Sequence, residues 1–300
     1  METIEKARPF VKWAGGKAGL IPQITKYYPD ALKSGQIERY IEPFLGGGAI
    51  LLDVLQKYDV KEAYAYDTNQ DLVNAYNVIK TDVDNLIKKL QKYEKEYLPL
   101  DEEERKEYYY DLRDEYNSAE VKSGKLSYKR AAQFIFLNKT CFNGLYRVNS
   151  NGDFNVPMGN YKNPTICDTE NLLKLSRLLQ NVEIICGDYH DTLELVNPKT
   201  FVYFDPPYRP LPDTNGFTSY TKDDFNDEDQ KKLGEFYKQL SQKDAKLMLS
   251  NSNPKNTNES DTFFDDLYKG FYINEVQANR AINSDGAKRG KISELLIINY

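Results

Sequence analysis

An apolar segment that breaks on consecutive glycines and resumes as a helix constrains this chain more than any other feature. Arg39 to Phe44 reads as a short strand, Leu45-Gly46-Gly47-Gly48 as a turn, and Ala49 to Tyr58 as an apolar-periodic helix. Glu62 to Tyr66 reads as a second strand, stopping at Asp67. Strand, glycine loop, helix and strand in that order build doubly wound α/β sheets. Glycines at the strand-to-helix turn let the backbone approach a ligand, and the helix N-terminus favours polar or anionic groups. A structural turn would account for the glycines alone. The acid at the end of the next strand adds an acceptor for ribose hydroxyls, so the pair points to a nucleoside cofactor.

The rest of the chain alternates in the same way. Val182 to Cys186, Phe201 to Phe204, Lys246 to Ser250 and Ile292 to Asn299 are short apolar runs, with helical segments at Glu170 to Leu179 and Glu228 to Leu240. This predicts a sheet with helices on both faces. From Asp71 to Arg147 the character is helical, charged and tyrosine-rich, with Arg130 to Asn138 an apolar helix. Asn143 to Pro164 is dense in Gly, Asn and Pro, which predicts loops or a hairpin. The expected organisation is an α/β domain, residues 1–71 and 166–300, interrupted by an insert at 72–165.

Composition narrows the chemistry. With 300 residues, 40% of them hydrophobic, the chain can bury a proper core. No run approaches the roughly 20 apolar residues of a membrane span. The charged stretch Met1 to Arg8 leads into no apolar run, so no signal peptide is expected. Cys141, Cys167 and Cys186 are too scattered for a metal-ligand pattern or disulfide framework, which suits a reducing cytoplasm. His190, the only histidine, is expected on the surface or in a loop. Zinc hydrolases and histidine-based acid–base sites need that side chain, so carboxylates, backbone groups and a cofactor should carry the chemistry without a metal. The net charge of −6 argues weakly against nucleic acid. Acidic residues gather at Asp101 to Glu104 and Asp223 to Asp229, however, while Lys122, Lys125, Lys129, Arg130, Lys139 and Arg147 concentrate basic charge mid-chain. A basic binding surface and a set of solvated helix faces both fit that pattern.

Two further motifs stand out. Asp205-Pro206-Pro207-Tyr208 follows the apolar strand Phe201 to Phe204 directly, where open α/β sheets place ligands. The prolines fix the backbone and remove two N–H donors. The Pro206 carbonyl is then free to point into a pocket beside the Asp205 carboxylate. Two adjacent acceptors suit an exocyclic amino group with two hydrogens to donate, and Tyr208 offers an aromatic face for a planar base. A rigid turn with an exposed tyrosine would require neither the acid nor the ring. Lys12-Trp13-Ala14-Gly15-Gly16-Lys17 surrounds the single tryptophan with glycines and lysines. It reads equally as core or as a binding loop.

Lys12 to Lys17, Pro43 to Gly48 and Asp205 to Tyr208, in that order, resemble the Dam-type DNA adenine methyltransferases. Phe44, Gly46 and Gly48 meet that family's Phe-x-Gly-x-Gly pattern. Asn143-Gly144-Leu145-Tyr146-Arg147-Val148-Asn149, with Phe154-Asn155-Val156-Pro157, is similar to the GATC-methylating modification enzymes of the MboI and DpnII type. Phe217 to Thr221 and Lys291 to Leu295 match as well. The resemblance implies a Rossmann-like class I S-adenosylmethionine-dependent methyltransferase sheet with an inserted, largely helical target-recognition domain. It implies S-adenosylmethionine held by Trp13, Lys17, Phe44, Gly46, Gly48, Asp67 and Asp205. It implies catalysis by Asp205, Pro206, Pro207 and Tyr208 on N6 of an adenine flipped from double-stranded DNA, within GATC. Phe142, Asn143, Leu145, Arg147 and Pro157 would contact DNA, with Arg147 on guanine, Leu145 and Pro157 on a thymine methyl, and Asn143 on the orphaned base or backbone. Some relatives carry Tyr where Phe142 stands, which weakens any wedging role for it. Lys122, Lys129, Arg130 and Lys139 are candidate phosphate contacts. The expected setting is cytoplasmic, as a solitary methylase or beside a restriction endonuclease acting on the same site without direct contact. N4 methylation of cytosine and a catalytically inactive DNA-binding regulator are the alternatives.

Overall fold

Seven strands form one mixed sheet in the computed structural model, which describes residues 6–118, 127–209, 225–279 and 291–300. In chain order they are β1 (Arg39–Glu42), β2 (Glu62–Asp67), β3 (Val182–Cys186), β4 (Thr200–Phe204), β5 (Lys246–Ser252), β6 (Tyr272–Asn279) and β7 (Lys291–Ile298). Their spatial order is β3-β2-β1-β4-β5-β7-β6. The first five run parallel, and β7 lies antiparallel between β5 and β6. The sequence reading missed β6. Its residues Tyr-Ile-Asn-Glu-Val-Gln-Ala-Asn lack an apolar run, because an edge strand has less surface to bury.

The helices are α1 (Ile21–Ile24), α2 (Asp30–Lys33), α3 (Ala49–Lys57), α4 (Gln70–Thr81), α5 (Val83–Tyr97), α6 (Glu102–Asn117), α7 (Tyr128–Thr140), α8 (Thr169–Leu178), α9 (Asp227–Ser241) and α10 (Phe263–Leu267). They cover both faces. Along β4, Phe201 and Tyr203 join one core with residues of α3, α4 and α8, while Val202 and Phe204 join another with residues of α9 and α10. A strand buried on both faces reads as an unbroken apolar run, which is why β4 was legible. Strand order reverses between β1 and β4, opening a crevice beyond their C-terminal ends. Among the described residues, no helix is long and apolar enough to cross a membrane.

The boundary expected between residues 71 and 72 falls inside α4. Asn77 and Lys80 of α4 donate to the Ile184 and Val182 carbonyls of edge strand β3, at 3.0 and 2.8 Å. This satisfies polar groups that an open edge would expose, so α4 belongs to the sheet layer. Beyond it, α7 is buried along most of its length and packs against α4, α5 and α6. A hairpin-like segment follows. Phe142 N donates to the Pro157 carbonyl at 2.8 Å, Asn155 N to that of Arg147 at 3.1 Å, and Asn149 N to that of Asp153 at 2.9 Å.

Arg130, expected to reach phosphate, points inward. Its guanidinium forks onto Asp71, donates to the Tyr116 carbonyl at 2.8 Å, and lies 4.1 Å from the centroid of the Tyr116 ring. Lys122, Lys125 and the segment Phe217 to Thr221 lie outside the described residues. Arg130→Ala should cost about 1.5–3 kcal/mol of stability, since it removes charge-assisted hydrogen bonds. Urea denaturation checks this. The salt dependence of DNA binding should stay unchanged, whereas losing a phosphate contact would lower its slope by about 0.9.

Candidate active site

The glycine loop leaves β1 and enters α3 through two left-handed residues, Gly46 at φ 47° and Gly48 at φ 67°. A Cβ on Gly46 would lie 2.9 Å from the Trp13 ring, and one on Gly48 would lie 2.5 Å from the Tyr76 hydroxyl. Only glycine fits there without displacement. At the end of β2, Asp67 accepts from the Gly46 amide at 2.9 Å and the Asn69 amide at 2.8 Å. Burial holds its pKa above the usual carboxylate range, and the two amides oppose that shift. Asp67 thus braces the loop. Trp13 packs on Gly46 and stacks on Tyr146 at 5.6 Å, so it lies between the loop and the hairpin. Phe44 stacks on Tyr189 at 5.5 Å.

Across the crevice, Asp205 follows β4. Lys17 is almost wholly buried, and its ammonium lies 2.8 Å from Asp205 Oδ1. It also donates to the Gly15 carbonyl at 2.5 Å and stands 4.6 Å from the Tyr208 ring centroid. Lys17, expected with Asp205 beside the cofactor, is tied by the fold to the Asp-Pro-Pro-Tyr turn. Burial raises the Asp205 pKa and the Lys17 charge pulls it back. Gln230 donates to the Pro207 carbonyl at 2.9 Å, and Arg209 N donates to Asn251 at 3.2 Å. Arg209 itself forks onto Asp227 and reaches Asp261. The turn is therefore held on both sides of Tyr208. Among the described residues, no donor is paired with the Pro206 carbonyl. Asp205, held by Lys17 through Oδ1, and this carbonyl are adjacent in the chain.

Two further acids join the site that sequence reasoning did not single out. The Tyr208 hydroxyl donates to Glu294 of β7 at 2.6 Å. Glu42, ending β1, is buried; it accepts from the Tyr40 hydroxyl at 2.6 Å and from the Leu51 amide in the first turn of α3. Burial, reinforced by the Asp205 charge, pushes its pKa up to about 8. A charged residue inside an apolar strand was the available signal in both cases.

The hairpin gathers the residues expected to meet DNA. Phe142 is 49% exposed, and Asn143, Arg147 and Pro157 are exposed as well. Leu145 is half-buried against the core. Asn143 adopts φ 57°, a conformation asparagine tolerates better than most residues. Arg147 Nε donates to Asn155 Oδ1 at 2.7 Å. Lys129 is exposed, and Lys139 is half-buried with its pKa lowered by burial. His190 is exposed against Asp188, as expected.

A mixed sheet with a glycine loop and an Asp-Pro-Pro-Tyr turn following adjacent strands at its switch point has the layout of a ligand-binding α/β enzyme. Residues 13–282 match the description D12 class N6 adenine-specific DNA methyltransferase, and the chain belongs to that family. Type II methyltransferase M.MjaIII of Methanocaldococcus jannaschii is 53% identical over 98% of this chain and 100% of its own. The DNA adenine methylase of Vibrio cholerae is 34% identical over 98% and 97% of the two chains, and that of Escherichia coli 32% over 98% and 96%. The protein is accordingly an S-adenosylmethionine-dependent enzyme that methylates adenine N6 in DNA. The cytosine and inactive-regulator alternatives give way to this assignment.

The raised Glu42 pKa has a signed consequence. Its ordinary value is 4.5, and in the folded protein it is about 8. Between those values the folded state keeps a proton that the unfolded chain has released, so stability falls as pH rises. Glu42→Gln keeps an acceptor for Tyr40 and removes the titration. Its stability should decline less steeply between about pH 5 and pH 8, by about 1.4 kcal/mol per pH unit at most. Denaturation curves of both proteins across that window check this, and parallel slopes would exclude Glu42 as the protonated acid.

Proposed function

We propose that the enzyme methylates the adenine of GATC in duplex DNA after flipping that base into the crevice between β1 and β4. The observation that supports the reading is the Asp205-Pro206 step after β4, whose carboxylate Lys17 holds through Oδ1 and whose Pro206 carbonyl has no donor among the described residues, next to the strand that leads into the glycine loop. A stacked adenine cannot present its amine to both acceptors, and extruding it costs a few kcal/mol. In the pocket, Asp205 and Pro206 accept the two N6 hydrogens, which localises the nitrogen lone pair. Lys17 fixes the other Asp205 oxygen, and Pro207 keeps the turn rigid. Tyr208 offers its ring to the base.

The cradle opposite fits S-adenosylmethionine. Left-handed Gly46 and Gly48 bare the loop backbone, and Asp67 supplies a half-buried acceptor for ribose hydroxyls beside it. Trp13 and Phe44 border the same loop. When bound, the cofactor supplies an electrophilic methyl group. The protein's part is to orient the amine and exclude water.

The hairpin supports the choice of sequence. Arg147, braced by Asn155, presents a guanidinium suited to guanine O6 and N7, with Leu145 and Pro157 near enough in the chain to serve a thymine methyl. Asn143 and Phe142 would meet the backbone and the gap left by the flipped base. Residues 72–165 would form the recognition region, with α4 shared by the sheet. The enzyme would act in the cytoplasm, alone or beside a nuclease of the same specificity that it does not touch.

Asp205→Ala should lower single-turnover methylation at least about 10²-fold, as loss of one electrostatic group does in other active sites, while cofactor binding largely survives. Near-normal turnover would remove Asp205 from the mechanism. Arg147→Ala should cost about 1–3 kcal/mol and relax discrimination at one base pair, measured on GATC and singly substituted duplexes at fixed salt. A uniform loss on every duplex would mark Arg147 as a phosphate or structural residue.

A further inference from the structure

Glu294 is an acid in a strand whose following residues, Leu295 to Ile298, are buried. Antiparallel pairing with β5 sets it opposite Ser252, at the same end of the sheet as the Asp205 turn. Ser252 Oγ in turn donates to the Arg209 carbonyl at 3.1 Å. Among the described residues no cation lies within ion-pair distance of Glu294; its carboxylate accepts the Tyr208 hydroxyl at 2.6 Å. Carboxylate–phenol bonds of that length are charge-assisted and stronger than neutral ones.

The tyrosine hydroxyl lies on the axis about which the ring spins. A hydrogen bond there fixes where the ring tip points, which is χ1, and leaves the spin about that axis, χ2, open. The Lys17 ammonium, 4.6 Å from the ring centroid, restrains that second freedom by its contact with one face. Together the two contacts leave one ring orientation and one face for a base. We propose that Glu294 is a positioning residue, which acts through the Tyr208 hydroxyl to set the ring on which the flipped adenine stacks. This rests on the reading that Tyr208 receives the base.

The test is a double-mutant cycle in single-turnover methylation at saturating DNA and cofactor. Glu294→Ala should slow the step about ten- to a hundredfold, as expected for losing a hydrogen bond to a charged group, with cofactor affinity by calorimetry unchanged. Glu294→Gln, which keeps an acceptor for the phenol, should recover most of that loss. In the Tyr208→Phe background, Glu294→Ala and Glu294→Gln should both have no further effect, because the hydroxyl they act through is gone. Should Glu294→Ala fail to fold, the Gln variant in both backgrounds with Tyr208→Phe carries the same comparison: Glu294→Gln above the Tyr208→Phe rate alone, and equal to it when combined. Costs that add in the double variant overturn the inference, as does a Gln variant as slow as Ala with weakened cofactor binding. Tyr208→Ala separates this from the underlying reading. If that variant methylates at the wild-type rate, Tyr208 does not meet the base and the reading fails; if it is slow while the cycle is additive, only the role of Glu294 fails.

Discussion

The Lys17 ammonium, buried between the N-terminal loop and the end of β4, is the contact on which the site is built. A buried charge is costly unless paired and hydrogen-bonded, and Lys17 meets both conditions with Asp205 and the Gly15 carbonyl. Segments far apart in sequence are thereby locked together at the switch point. Pairing Asp205 Oδ1 with Lys17 holds the carboxylate in one orientation.

A second cross-brace ties the hairpin to that loop. Buried Asn138 accepts from the Lys12 amide at 2.9 Å and donates to the Lys12 and Gly144 carbonyls at 2.9 and 3.0 Å. One side chain at the end of α7 thus fixes both the start of the Lys12–Lys17 loop and the entry to the hairpin. The two segments thereby share a rigid support. Such placement on a packed helix keeps loops in register better than loop-to-loop contact would.

How much of this could be read beforehand depended on whether the signal was local. β4 and the Asp-Pro-Pro-Tyr turn are contiguous, and so is the β1 glycine loop; apolar runs and turn residues announce them. Glu42 and Glu294 were hidden because an acid in a strand looks like a solvent-facing residue until sheet register places it in a crevice. Arg130 was misjudged for the complementary reason. Its partner Asp71 lies 59 positions earlier, and no periodicity links the two. The expected division at residues 71 and 72 cuts α4, because that helix resembles those after it in composition, while its cover over β3 exists only in three dimensions.

Trp13 is the chain's single tryptophan, set between Gly46 of the glycine loop and Tyr146 beside Arg147. The molecule therefore carries one indole chromophore, and its surroundings belong to both halves of the enzyme. Its emission wavelength and quenching should respond to changes in the loop and in the hairpin alike. With 24 tyrosines elsewhere, excitation at the red edge of the absorption band would isolate this one reporter without any label.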